Sequence, residues 1–297
     1  MTVSRLRFYG DTNGTYYIDL WRAISLQERK LHRQKQICTV YGGYFVDSQG
    51  NRIDINTAAL TWMNKRAVNR GFRIWKSMIA DTLKSTDGLS TGRWNDFKIY
   101  LNNQMGDSTL LPVDAGNQDL YNGTAPEWNY STLTSDDPDG PGGTAPDQYE
   151  LMLAGSAHSG TDPNWGRISL LKSWLDSRAE LDTSGYPNVD NAAIIADPLN
   201  NLMDAGDADD DRMQIINSEG DNPPYDHDTM FGHAATAGGS NNLQRQSVAQ
   251  PSAQVPVAPI HGFQALCGLV QIVVGAGSTT GNEWELVLDV ETKGESF

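Results

Sequence analysis

Cysteine is scarce in this chain of 297 residues: Cys38 and Cys267 are the only two. Two thiols cannot build a disulfide framework, and without histidine they are too few for a zinc centre. Each lies in an apolar, strand-like run, so both are expected as buried thiols, with a Cys38–Cys267 bridge as the alternative. Long apolar runs are missing too. Nothing approaches the roughly 20 apolar residues that span a bilayer, and the N-terminus has no apolar run of signal-peptide length. The chain is therefore expected to stay in the compartment where it is made. Neither standard phosphate-binding glycine loop occurs: Gly140, Gly142 and Gly143 are interleaved with proline among turn formers. Ser156 and His158 are close in sequence but stand in no nucleophile elbow. No pair of acids can be singled out for glycoside hydrolysis. The search for a reaction returns nothing specific, and the expectation is a protein that is no enzyme and has no cofactor.

The acidic run DAGDADDDRMQIINSE comes nearest to a metal site. Asp207, Asp209 and Asp211 have the spacing of a calcium loop. Arg212 then stands where the sharp turn needs Gly, and Ser218 occupies the twelfth position where Glu is required. A solvated acidic loop is the simpler reading, and these three aspartates remain weak candidates for a divalent cation. Asp226, His227, Asp228 and His233 lack a further partner for a metal.

Charge is plentiful but unevenly placed. The net charge is −15, yet residues 1–105 hold 16 Lys and Arg against 8 Asp and Glu, leaving 6 basic and 29 acidic residues for the remainder. Either one face meets nucleic acid while another meets water, or basic and acidic flanks of identical subunits dock.

The most periodic stretch is residues 57–85, TAALTWMNKRAVNRGFRIWKSMIADTLKS. At 100° per residue Leu60, Met63, Ala67, Val68, Ile74, Trp75, Met78 and Ile79 share one side of a helix capped at Thr57. Lys65, Arg66, Arg70, Arg73 and Lys76 occupy the other. Trp62, Trp75 and Trp94 are most simply core, with stacking on unpaired bases as the functional alternative. Ahead of the helix, residues 1–35 read as a basic arm with a short helix near Ser25, and residues 36–47 as a strand with an irregularity at Gly42–Gly43. Strands are expected at 93–101, 109–113, 127–132 and 148–154, and a second helix at 164–179. Residues 182–259 are rich in Asp, Asn, Gly, Pro, Ser and Gln and read as a long loop-rich insertion, with one short strand at 212–217. At the C-terminus, QALCGLVQIVV and EWELVLDVETK read as an antiparallel hairpin with an acidic outer face. Many short strands, few helices and long loops make an all-β fold, an antiparallel β-sandwich with inserted helices, in which 36–297 form one domain.

LQERKLHRQ (26–34), the AVNRGFRIWK helix, RWNDFKIYL (93–101), NPPYDHD (222–228) and the ending HGFQALCGLVQIVV…NEWELVLDVETKG together resemble the capsid proteins of small circular Rep-encoding single-stranded DNA viruses, marine and uncultured groups especially. The resemblance implies a single viral jelly roll and an icosahedral shell enclosing a genome. It implies localisation in the virion and, as partners, other copies of the chain and the viral nucleic acid. Many such proteins begin with a dense Arg/Lys arm, whereas residues 1–35 here are only moderately basic. Arg5, Arg7, Arg29, Lys30, Arg33 and Lys35 are expected on nucleic acid. Lys65, Arg66, Arg70, Arg73 and Lys76 are expected at a subunit interface with acidic neighbours. A jelly-roll carbohydrate-binding module or glycoside hydrolase is the rival from another class, and a viral spike or fibre head a third reading.

Overall fold

The computed structural model describes residues 2–85, 95–106, 109–120, 128–135, 147–155, 158–159, 166–176, 243–275 and 283–297. The chain divides into two compact units, residues 1–174 with 230–297, and residues 175–229. Nearly all the described residues belong to the first.

Its elements are β1 (Val3–Gly10), β2 (Gly14–Asp19), α1 (Leu20–Glu28), β3 (Ile37–Asp47), β4 (Ile53–Thr57) and α2 (Trp62–Ser85). After α2 follow β5 (Thr132–Ser135), β6 (Asp147–Met152), β7 (His158–Ser159), β8 (Arg167–Ser169) and α3 (Leu170–Asp176). The chain ends in β9 (Gln244–Ala249), β10 (Val257–Leu266), β11 (Leu269–Val274) and β12 (Trp284–Glu291). Two antiparallel four-stranded sheets, β1-β12-β3-β10 and β2-β11-β4-β9, bury a shared core. A smaller third sheet, β5-β6-β8-β7, contains one parallel pairing.

The first four and last four sandwich strands are nested. β1 pairs with β12, β2 with β11, β3 with β10 and β4 with β9. Each step along the chain crosses to the other sheet except β4 to β9, and residues 58–243 are inserted at that one step. Period-two patterning sets which face is buried. Trp284, Leu286, Leu288 and Val290 of β12 point inward with Leu6 and Phe8 of β1, and meet Ile18, Ile55, Ile272 and Val274 of the other sheet. Each such side chain contributes about 1.5–3 kcal/mol on burial.

Several sequence expectations change here. Residues 1–35 are no arm: β1 and β2 supply a strand to each sheet, and α1 buries Leu20, Trp21, Ala23 and Ile24. The basic residues of β1 lie on its outward face while Leu6 and Phe8 fill the core, so a charge count over this stretch obscures its alternation. The expected C-terminal hairpin is also absent, since β11 and β12 belong to opposite sheets. QALCGLVQIVV is itself broken at Cys267 (φ 58) and Gly268 (φ 67), where the chain turns from one sheet to the other. A Cβ on Gly268 would meet the Trp21 ring, so glycine is required there for space as well as for backbone conformation. β9 and the start of β10 fall in the stretch expected to be loop. Residues 95–99 form no strand, and 109–113 make only isolated bridges. The irregularity at Gly42–Gly43 is present as a register shift, with Asp289 opposite Gly42 and Val290 opposite Val40.

A buried polar seam fastens the inserted segment to the outward side of β2 and β11. Asp19 caps α1 by accepting from the Arg22 amide (3.1 Å), and also accepts from Gln34 Nε2 (3.0 Å) and Trp128 Nε1 (3.0 Å). Gln34 grips Ile99 through both its backbone N–H and its C=O. The Tyr17 hydroxyl accepts from Asn102 Nδ2 (3.0 Å) and Gln271 Nε2 (2.9 Å). Each group is satisfied by another, so their burial is tolerated. Burial still raises Asp19 to about 6 against the three donors that favour its charged form.

Candidate nucleic-acid interface

The cations of the N-terminal segment are mostly engaged. Arg5 makes a bidentate pair with Asp289, Nε to Oδ1 at 2.7 Å and Nη2 to Oδ2 at 2.9 Å. That hydrogen bonding holds the Asp289 carboxyl below its usual range. Arg7 pairs with Glu285 at 2.9 Å and donates to the Asp114 carbonyl (2.6 Å) and to Asn117 Oδ1 (2.7 Å). Arg33 reaches Asp96 at 3.4 Å from an exposed position. Lys35 donates to the Phe297 carbonyl at 3.2 Å and lies 4.9 Å over the Phe72 ring. Arg29, which closes α1 in the left-handed region, and Lys30 are exposed with no ion pair among the described residues. Of the six residues expected to contact nucleic acid, Arg5, Arg7 and Arg33 are thus held by carboxylates and Lys35 by the Phe297 carbonyl, while Arg29 and Lys30 are exposed. Arg5 and Arg7 cross-link strands of a sheet.

α2 is different. It begins at Trp62, five residues after the expected cap, because Thr57 ends β4 and Thr61 Oγ1 accepts from the Asn64 amide (3.2 Å) instead. Met63, Ala67, Val68 and Trp75 are buried, while Phe72 and Trp75 stack against Phe97 at 5.5 and 5.7 Å. Gly71 lies so close to Leu170 of α3 that a Cβ would collide with it. On the opposite face Arg66, Arg70, Arg73 and Lys76 are exposed and Lys65 is half-buried. None of the five has an ion pair among the described residues. Arg73 is near enough to Lys35 to add to the lowering of that amine, which burial chiefly causes.

Two apolar residues depart from expectation. Ile74, assigned to the buried side, is 49% exposed, because α2 is packed over a narrower arc than its hydrophobic residues cover. Trp62, read as core, is 56% exposed and shares the basic face. Its indole meets Trp174 edge-on at 5.7 Å, and the Arg66 guanidinium lies over it at 5.2 Å. The signal for Trp62 was available: at 100° per residue it falls about 40° from Arg66 and about 20° from Arg73. Trp75 is core as expected, and Trp94 lies outside the described residues.

Cys38 and Cys267 are buried free thiols, and burial pushes both upward in pKa. No group of three or more His, Cys, Asp or Glu able to hold a metal occurs among the described residues. Asp207, Asp209 and Asp211 lie outside them, as do Asp226, His227, Asp228, His233, Ser156 and the expected strand at 212–217. No helix among the described residues is long and apolar enough to cross a membrane. Compared with known proteins, the chain matches no family model, no curated protein and no solved structure, so its function has to be read from the geometry above.

Proposed function

We propose that this chain is a viral coat protein that self-associates into a closed icosahedral shell around a nucleic-acid genome, and that it turns over no substrate. The observation carrying this reading is strand order. Sheets ordered β1-β12-β3-β10 and β2-β11-β4-β9, built from nested pairs and joined by sheet-crossing connections, support reading the sandwich as an eight-stranded jelly roll. That is the fold implied by the capsid-like stretches of the sequence. Jelly rolls also serve lectins and cupins, so fold alone does not decide.

Three further features favour a shell. One inter-strand connection is expanded into residues 58–243, which supplies lateral area for subunit contacts. β9 and β10 are open sheet edges among the described residues, and Val248, Val255 and Val257 at this end are 41%, 62% and 48% exposed. The opposite edges, β1 and β2, are covered: Val113 donates to the Arg7 carbonyl and Leu110 to that of Tyr17. The uneven charge fits a basic flank toward the genome and an acidic remainder outward and between subunits.

Sedimentation and negative-stain microscopy of the purified chain across ionic strength and concentration test this. Closed shells are expected, and Val255→Asp with Val257→Asp should lower the assembled fraction several-fold without loss of folding. A solitary particle under all conditions overturns the reading. Glycan binding by such a monomer would instead support the carbohydrate-binding rival.

A further inference from the structure

From Trp62 to Ala80 the helix carries five cations and neither Asp nor Glu. Trp62, Arg66, Asn69, Arg73, Lys76 and Ala80 fall in one stripe, about 27 Å long at 1.5 Å per residue. Arg70 widens it on one side. Such a face suits either the acids of a second copy or the phosphates of a polynucleotide.

Among the described residues, the pairing of the other charges favours phosphates. On the outward face of β12, Asp289 and Glu285 are paired with Arg5 and Arg7, while Glu291 has no ion pair among the described residues. Asp54 is shared by Arg52 and Arg245, and Glu150 pairs with Arg167. Among the described residues these strands therefore leave few carboxylates unpaired for a second copy. Trp62, whose half-exposed indole is held by Trp174 among the cations, adds a flat ring on which an unpaired base can stack. A nucleic-acid strand uses both, phosphates on guanidinium and bases on the indole. Stacking needs bases that are not already stacked in a duplex, which selects a single strand.

We infer that the Trp62–Lys76 face of α2 is a binding site for single-stranded nucleic acid, with bases stacking on Trp62 and phosphates engaged by Arg66, Arg70, Arg73 and Lys76. This rests on the nucleic-acid half of the coat-protein reading and is independent of shell closure.

The test is fluorescence anisotropy of labelled dT20 and of a 20-base-pair duplex with the full chain at low salt, with sedimentation on the same samples. The chain should bind dT20 more tightly than the duplex. Trp62→Ala should weaken dT20 binding about 5- to 100-fold, and Trp62→Phe, which keeps a stacking ring, should restore most of it. Arg66→Gln, Arg70→Gln and Arg73→Gln together should weaken dT20 binding by about 100-fold or more at low salt, while the melting temperature confirms an intact fold. Wild-type affinity in the Trp62→Ala and triple variants overturns the site, as does a wild-type chain that ignores dT20. A triple variant that binds dT20 normally yet no longer assembles gives the face to a second copy and also overturns it. Shells without dT20 binding leave the coat reading standing and this one fallen; a monomer that binds through Trp62 does the reverse.

Discussion

Arg5 and Arg70 are both exposed arginines in the basic third of the chain, and the molecule treats them oppositely. The Arg5 side chain is 65% exposed yet closed onto Asp289 of the neighbouring strand, while Arg70 has no ion pair among the described residues. The tryptophans divide the same way. Trp284 is 1% exposed between the sheets, and Trp62 is 56% exposed on α2. The sandwich neutralises Arg5 and buries Trp284, whereas α2 leaves Arg70 and Trp62 outward. A count of basic or aromatic residues cannot separate these uses, because the difference lies in what stands opposite each one.

Truncating the two tryptophans gives the largest test of that contrast. Trp284 packs against Phe45 and Tyr16 and donates to the Thr12 carbonyl at 2.8 Å. Trp284→Ala should cost about 3–5 kcal/mol in urea unfolding. Trp62→Ala, losing mainly its edge contact with Trp174, should cost about 1 kcal/mol. Equal losses would make Trp62 a core residue and end the comparison.

The seam between sandwich and insertion offers the next test, since Asp19 is a charge that is buried rather than displayed. Its folded-state pKa of about 6 stands above that of an unfolded aspartate. The group therefore favours the folded state most below about pH 4, and that contribution is lost as pH rises through 6. Asp19→Asn, which cannot ionise, should gain stability relative to the native chain by about 2 kcal/mol between pH 4 and pH 7. Unfolding curves at the two pH values measure it. A relative loss over the same interval would mean that the donors from Arg22, Gln34 and Trp128 outweigh burial.

How much of this was legible beforehand follows from the range of each interaction. Local periodicity exposed α2, β3 and the alternating face of β12, because one helix or strand repeats its own pattern. It misplaced Ile74 because the width of a packed face depends on the neighbour, here the segment around Phe97 together with α3, whereas reading Trp62 as core went against its own periodicity, which sets it beside Arg66 and Arg73. It also paired β11 with β12, adjacent in sequence, when β12 lies between β1 and β3. Nested pairing across nearly the whole chain leaves no local trace, and neither does the Arg5–Asp289 contact. Gly268 does leave one, since a glycine inside an apolar strand-like run marks a bulge or tight bend. The Asp19 seam was illegible because its partners come from three separated segments.

Salt dependence sharpens the arginine comparison directly. Each phosphate neutralised on a single strand contributes roughly −0.7 to the slope of log affinity against log salt concentration. Removing Arg66, Arg70 and Arg73 should shallow the dT20 slope by about 2, read by anisotropy at salt concentrations where residual binding can be titrated. Arg5→Gln with Arg7→Gln should leave it unchanged. A slope carried by the β1 pair would return nucleic-acid contact to the N-terminal segment.

The smallest effect concerns the Arg5–Asp289 pair itself. Its geometry is bidentate at 2.7 and 2.9 Å, which favours strength, but water surrounds it and the neighbouring backbone ladder already fixes β1 on β12. Screening should therefore win over geometry. Arg5→Gln, Asp289→Asn and the double variant should each shift the melting temperature by no more than about 2 °C at low salt, with the shift vanishing near about 1 M. The pair would then serve chiefly to keep Arg5 and Asp289 from engaging other molecules, leaving the unpaired cations of α2 as the accessible ones. A large coupling that persists in high salt would make it a structural clamp, and the exposure of Arg5 would then say nothing about its availability to a polynucleotide.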